Sequence, residues 1–221
     1  MPQLKALLFD LDGTFIDSEH FHYDCWVEIL KEFPETITYE DWTKNYAGIP
    51  LPSNCENLKK RFNLPIPLEE LIKWRERLSK EGFANKDIQL MPHALETIQF
   101  FKAQGLKTAL VTASPRVDVE LIFKRNGLGH YFDTMVTRTD VPQTKPDPAC
   151  YNLACELLGL EKEDCIAFED TVNGLRAAKA AGITCYVVQH DASQHEKLAL
   201  ADRIFLDLKE ASEAIDADFL C

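Results

Sequence analysis

From residue 91 onward, short apolar runs alternate with segments of helical spacing, and this alternation constrains the fold more than any other feature. The apolar runs predict strands at 108–111, 134–136, 165–168, 185–188 and 204–206. The helical segments 93–103, 117–125, 148–158 and 172–181 each end close to a glycine, which readily adopts the left-handed conformation that ends a helix. Repeated strand–helix alternation predicts an α/β fold, with a parallel sheet covered by helices on both faces.

A helical insertion separates the first predicted strand from this array. Residues 5–9 form a short apolar run, whereas residues 20–83 show helical spacing and no convincing strand. We therefore predict a Rossmann-like core formed by residues 1–16 and 88–221. A domain of about four short helices, residues 17–87, is inserted after its first strand.

Charge and cysteine usage exclude several classes of protein. The 24 Lys and Arg against 36 Asp and Glu give a net charge of -12, which disfavours nucleic-acid and anionic membrane partners. The seven cysteines are odd in number and form no CxxC pair, so neither a disulfide framework nor a zinc cluster is expected. No apolar run approaches the ~20 residues that span a bilayer, and the first residues do not resemble a signal peptide. These features predict a cytoplasmic protein.

Four predicted strands are each followed by polar or charged residues. In chain order they are Asp10 and Asp12, Thr112, Lys145, and Glu169 with Asp170. Ligands of open parallel sheets bind beyond the carboxyl ends of the strands. Four clustered carboxylates favour a hard cation such as Mg²⁺, and a nearby ammonium would add affinity for a phosphoryl group. Each motif alone is typical of a turn or a helix cap, but their shared position at strand ends favours a functional site.

These motifs resemble those of a known superfamily. The segments FDLDGTFIDSE (9–19), VTASP (111–115), KPDP (145–148) and FEDTVNGLRAAKAAG (168–182) are similar to the four motifs of the haloacid dehalogenase-like (HAD) superfamily. The helical insertion resembles the C1-type cap of its beta-phosphoglucomutase and small-phosphatase branch. The resemblance covers essentially the whole chain and implies the HAD fold.

The resemblance also implies a role for each motif residue. Asp10 corresponds to the nucleophile that forms an aspartyl phosphate, and Asp12 to the general acid/base. Thr112, Ala113 and Lys145 correspond to phosphate-binding positions. The Mg²⁺ ligands would be the side chains of Asp10, Asp170 and Glu169 and the backbone carbonyl of Asp12, with Glu169 either a ligand or a partner of one.

His22 and the inserted domain leave alternatives open. His22 matches a position that the family associates with the acid/base or the substrate, although packing beside Phe21 and Trp26 is an equally good interpretation. In the family's mutases an arginine follows a glycine of the cap, whereas Leu51 occupies about that place here. Arg75 or Arg77 could supply a cation instead, but exposed positions on a helix are the preferred interpretation of both.

The sequence as a whole favours one reaction. Asp12 argues against a dehalogenase, because a halide leaving group needs no proton. Phosphonate cleavage would need a Schiff-base lysine in the cap, and no lysine there has an apolar setting. We predict a monomeric magnesium-dependent phosphatase whose mobile cap closes over a small phosphorylated metabolite such as a sugar phosphate. A beta-phosphoglucomutase is the alternative. A non-catalytic binding module is less favoured, because all the charged residues that catalysis needs are present in the four motifs.

Overall fold

Six parallel strands form one sheet in this computed structural model, which describes residues 4–49 and 51–220. The strand order is β3-β2-β1-β4-β5-β6, and every neighbouring pair is parallel. The strands are β1 (Ala6–Phe9), β2 (Lys107–Val111), β3 (Thr134–Val136), β4 (Cys165–Glu169), β5 (Thr184–Val188) and β6 (Arg203–Phe205). The predicted α/β fold is confirmed.

The helices follow the predicted alternation. Those of the insertion are α1 (Ser18–Leu30), α2 (Tyr39–Asn45), α3 (Leu51–Arg61) and α4 (Leu68–Asn85). The others are α5 (Ala94–Ala103), α6 (Arg116–Asn126), α7 (Ala149–Leu158), α8 (Val172–Ala180) and α9 (Leu208–Ile215). Helix α9 was not predicted. It is only eight residues long, and it begins where the Asp207 side chain accepts a hydrogen bond from the backbone N–H of Glu210.

The chain divides into two compact units, Met1–Asp17 with Gln89–Cys221 and Ser18–Ile88. The first contains the sheet, and the second contains α1 to α4 with a separate apolar core that includes Trp26, Ile29 and Leu71. Residues 1–3, 50 and 221, which fall within the predicted domain ranges, lie outside the described residues.

Side chains of the sheet alternate between two buried faces. Ala6 and Leu8 of β1 belong to the core cluster that also contains residues of α7 and α8. On the opposite face, Phe9 makes ring contacts with Phe15, Phe132 and Phe168. Successive residues of a strand point to opposite sides. Because both sides are buried here, β1 is apolar throughout, and the first polar residue after it, Asp10, stands at its carboxyl end.

Neither membrane-crossing helices nor disulfides are found in the described part of the chain. Among residues 4–49 and 51–220, no helix combines the length and apolarity that a bilayer crossing requires. The six described cysteines are free thiols and are buried, as the sequence predicted for small core residues.

Candidate active site

The sheet brings the four predicted motifs together at the carboxyl ends of its strands. Phe9 at the end of β1 is in register with Leu110 of β2 and with Phe168 of β4. Asp10, which follows β1, donates its backbone N–H to the carbonyl of Phe168. Thr112 and Glu169 therefore stand on either side of Asp10, as neighbours of the same central strand.

Lys145 is the residue that joins these strand ends. Its Nζ donates to Asp10 Oδ1 at 2.5 Å, to Glu169 Oε1 at 2.6 Å and to the carbonyl oxygen of Val111 at 2.8 Å. Its side chain is only 5% exposed. The Lys145–Pro146 peptide bond is cis. The three acceptors lie at the carboxyl ends of β1, β2 and β4, so a single buried ammonium connects the ends of three neighbouring strands.

Burial and charge act against each other in this cluster. Burial raises the pKa of Asp10 to about 8, although the Lys145 ammonium opposes the shift. Burial also disfavours the ammonium of Lys145, but the carboxylates of Asp10 and Glu169 outweigh it and raise the Lys145 pKa above its usual value. Lys145 is therefore a permanent cation, and Asp10 depends on positive charge nearby to stay ionised.

Glu169 is fully buried and held through one of its oxygens. Its Oε1 accepts hydrogen bonds from Lys145 and from the hydroxyl of Tyr151, both at 2.6 Å. Its Oε2 is buried and has no hydrogen-bond partner among the described residues. A buried carboxylate oxygen without a donor is costly, so this atom fits a site that receives a cation.

The carboxylates meet the requirements of a divalent cation. Ligand atoms of Asp10, Glu169 and Asp170 lie within 4.8 Å of one another, and hard oxygen donors suit Mg²⁺. Gly13 has a φ of +80°, and a Cβ there would lie 2.3 Å from Asp170 Oδ2, so glycine permits this close approach. The residues present fit the predicted metal ion. The carboxylate of Asp12 is not among these ligand atoms.

Asp12 faces the loop that follows β2. Its Oδ2 accepts a hydrogen bond from Ser114 Oγ at 2.6 Å, and Thr112 Oγ1 lies 3.4 Å away. The backbone N–H of Ser114 donates to Thr112 Oγ1 at 2.9 Å, which fixes the loop between them. Ala113 is exposed at the top of this loop. Ser114 was not among the residues predicted for the site, although it belongs to the same strand-end motif as Thr112.

His22 lies in the inserted unit and contacts a buried arginine. Arg75 is 2% exposed, so the expected position on an exposed helix face is wrong for this residue, whereas Arg77 is exposed. Arg75 Nη2 lies 2.9 Å from His22 Nδ1. A guanidinium can only donate, so Nδ1 accepts and the imidazole proton of neutral His22 is on Nε2. Burial of Arg75 was missed because flanking charged residues made this face of α4 resemble a solvated one.

The loop after β4 requires glycine at the start of α8. Thr171 caps the helix by accepting a hydrogen bond from the Gly174 N–H at 3.1 Å. A Cβ on Gly174 would lie 1.8 Å from Glu169 Oε2. The carboxylate and the first turn of the helix are therefore packed too closely for any side chain.

We expect Gly174→Ala to displace Glu169 and to destabilise the fold by about 1–3 kcal/mol, because the added methyl overpacks the site. The predicted phosphatase activity should fall more than stability suggests, since the displaced carboxylate belongs to the acidic cluster. Urea unfolding and steady-state kinetics measure the two effects. Gly129→Ala is the matched control, because a Cβ there meets open space. Equal behaviour of the two variants would refute the packing argument.

Comparison with known proteins identifies the relatives of this chain. A sequence profile of the family described as haloacid dehalogenase-like hydrolase matches residues 4–182. The chain is 29% identical over 204 residues to a phosphorylated carbohydrates phosphatase of Thermotoga maritima, covering 92% of this chain and 94% of the relative. It is 32% identical over 215 residues to a validoxylamine A 7'-phosphate phosphatase of Streptomyces hygroscopicus subsp. limoneus, covering 93% and 95%. The crystal structure of CbbY from Rhodobacter sphaeroides in complex with phosphate aligns with a TM-score of 0.76 at 26% identity, covering 94% of this chain and 96% of that one.

Proposed function

The chain belongs to the haloacid dehalogenase-like hydrolase family, and from that premise we propose that this phosphatase is magnesium-dependent and hydrolyses a small phosphorylated carbohydrate through an aspartyl phosphate. One observation carries the proposal. Lys145 holds Asp10 at 2.5 Å and Glu169 at 2.6 Å, within a cluster of three carboxylates suited to a cation. The proposed nucleophile, a buried ammonium and the carboxylates suited to a metal ion thus lie together at the carboxyl ends of neighbouring strands.

The first step transfers the phosphoryl group to the protein. A carboxylate oxygen of Asp10 attacks phosphorus, and the bond between phosphorus and the ester oxygen breaks. Asp12 donates a proton to the departing oxygen, so the product leaves as an alcohol. Lys145 orients Asp10 and offsets the negative charge that the phosphoryl oxygens bring into a buried site.

The second step releases phosphate. Asp12, now ionised, takes a proton from a water molecule, and the resulting oxygen attacks the phosphorus of the acyl phosphate. The bond from phosphorus to Asp10 breaks, and the original carboxylate returns. Thr112 and the backbone of Ala113 would bind the phosphoryl oxygens in both steps. Mg²⁺ held by Asp10, Asp170, Glu169 and the Asp12 carbonyl would supply positive charge that makes phosphorus more electrophilic.

The inserted unit would select the substrate. We propose that residues 17–87 act as a cap on the catalytic core, with His22 as a substrate-binding or acid/base-positioning residue. A small carbohydrate phosphate is supported by the relatives named for phosphorylated carbohydrates and for validoxylamine A 7'-phosphate. Leu51, at the position of the mutase arginine, favours water over a sugar as the second acceptor.

A panel of phosphorylated sugars, polyols and other small metabolites tests the proposal. Release of inorganic phosphate should depend on Mg²⁺, stop with a chelator and resume when Mg²⁺ is restored. Conversion of glucose 1-phosphate to glucose 6-phosphate is assayed in parallel, because a mutase would rearrange this substrate rather than hydrolyse it. Lack of phosphate release from the entire panel, or release that a chelator leaves unchanged, would contradict the proposal.

The role of Asp12 predicts a dependence on the leaving group. We expect Asp12→Asn to slow phosphoryl transfer from an alkyl phosphate by roughly 10²–10⁴-fold. Transfer from p-nitrophenyl phosphate should slow far less, because nitrophenolate leaves without a proton. Rapid-mixing kinetics of the first turnover separate this step from hydrolysis of the acyl phosphate. Asp24→Asn, on an exposed face of α1, is the control, and equal losses with both substrates would contradict proton donation by Asp12.

A further inference from the structure

Tyr151 is a buried residue at the site to which the mechanism gives no task. It lies on α7 and is completely buried among the residues of the core. Its hydroxyl lies 2.6 Å from Glu169 Oε1. A buried phenol needs an acceptor, but here the acceptor is a carboxylate of the acidic cluster rather than a backbone carbonyl.

Two donors of different character share this one oxygen. In the proposed mechanism Lys145 also acts on the substrate, because its buried ammonium contacts the nucleophile Asp10. If Lys145 turns toward phosphoryl oxygens, its hydrogen bond to Glu169 weakens. Tyr151 stays in place, because its ring is packed in the core and its hydroxyl donates a hydrogen bond to Glu169 Oε1.

We propose that Tyr151 is a positioning residue for the metal and phosphate site, acting through Glu169. Its hydroxyl keeps Oε1 of Glu169 fixed, and so keeps the other carboxylate oxygen available to the cation, whether Lys145 contacts the carboxylate or the substrate. The inference rests on the proposed function, because it requires the acidic cluster to bind a metal. Partners that orient a metal ligand commonly change metal affinity or activity by about 10–100-fold when they are lost.

The contributions of the ring and of the hydroxyl of Tyr151 can be separated by mutation. Lys145 Nζ lies 5.3 Å from the centroid of the Tyr151 ring, so the ring itself packs beneath the ammonium. Tyr151→Phe retains that ring and removes only the hydrogen bond to Glu169. A truncation to alanine would remove both and would open a cavity in the core.

The test measures binding of Mn²⁺ as a probe of the divalent site, by electron paramagnetic resonance of the free ion. We expect Tyr151→Phe to weaken Mn²⁺ binding by about 10–100-fold. The control is Tyr186→Phe, which removes a hydroxyl from another tyrosine of the sheet core that is 4% exposed, and Mn²⁺ affinity should remain unchanged. Urea unfolding with and without Mn²⁺ gives a second measurement. The stabilisation by Mn²⁺ should shrink in Tyr151→Phe, whereas a purely structural role would lower stability equally in both conditions.

A double-mutant cycle shows whether Tyr151 acts through Glu169. In a Glu169→Gln background, Tyr151→Phe should cost little further Mn²⁺ affinity, because the group that it positions is already altered. Unchanged affinity of Tyr151→Phe in the natural background, or an equal loss in both backgrounds, would overturn the inference. Asp170→Ala tests the metal site itself. If Asp170→Ala binds Mn²⁺ normally, the proposed function fails. If Asp170→Ala loses Mn²⁺ but Tyr151→Phe binds it normally, only the inference about Tyr151 fails.

Discussion

Asp10→Asn should yield a folded protein whose phosphatase turnover is lower by on the order of 10⁶-fold, the size of the loss when another covalent enzyme lacks its nucleophile. An amide has no anionic oxygen to attack phosphorus, so no acyl phosphate can form. The fold should survive because asparagine has nearly the same shape as aspartate, and Lys145 keeps its hydrogen bonds to Glu169 and to the Val111 carbonyl. Steady-state kinetics and intact-protein mass spectrometry after brief exposure to substrate measure the two consequences.

The same variant separates covalent catalysis from simple metal-assisted hydrolysis. The natural protein, quenched in acid during turnover, should carry one phosphoryl group, and Asp10→Asn should carry none. Asp24→Asn provides a matched Asp-to-Asn change on the exposed surface of α1 and should retain both turnover and labelling. Turnover by Asp10→Asn within tenfold of the natural protein would rule out Asp10 as the nucleophile.

The sheet could be predicted from sequence because the features that indicate its strands and helices lie within short segments of the chain. The strands β1, β2, β4 and β5 are short, mostly apolar runs that are almost entirely buried. Glycines such as Gly127 and Gly159, at positive φ in the structure, mark the ends of the intervening helices. Since ligands of such sheets bind at the carboxyl ends of strands, Asp10, Lys145 and Glu169 could be placed at one site. Helix α9 was missed because eight residues provide too little periodicity.

The partners of the site residues could not be predicted, because they depend on packing between distant segments. Tyr151 lies 18 positions from Glu169 in sequence, within a predicted helix whose spacing does not show which side chain reaches the site. Ser114 contacts Asp12 from another strand end, across 102 positions. Arg75 is a charged residue flanked by other charged residues, which is typical of an exposed helix face, yet it is buried and contacts His22. Periodicity identifies which face of a helix is buried, but it does not identify the polar atoms that meet there.

Lys145→Met should have the largest effect on stability, lowering the free energy of unfolding by about 3–5 kcal/mol in metal-free protein, the usual cost of removing one partner of a buried ion pair. The ammonium makes hydrogen bonds to Asp10, Glu169 and the Val111 carbonyl, and methionine replaces none of them. Two buried acidic groups would then face each other without a cation. Turnover should fall as well, because Asp10 loses the charge that favours its ionised form.

A divalent cation should restore part of this stability without restoring turnover. Mg²⁺ bound by the acidic cluster can offset the charge that Lys145 provided, but it cannot orient Asp10 from the side on which Lys145 lies. Lys145→Arg, which keeps the charge in a larger group, should unfold at a higher urea concentration than Lys145→Met and still turn over slowly. Lys60→Met, on an exposed part of α3, controls for the substitution type. If Lys145→Met were as stable as Lys60→Met without metal, the ammonium would not be what holds the three strand ends together, and the electrostatic basis of the proposed site would be wrong.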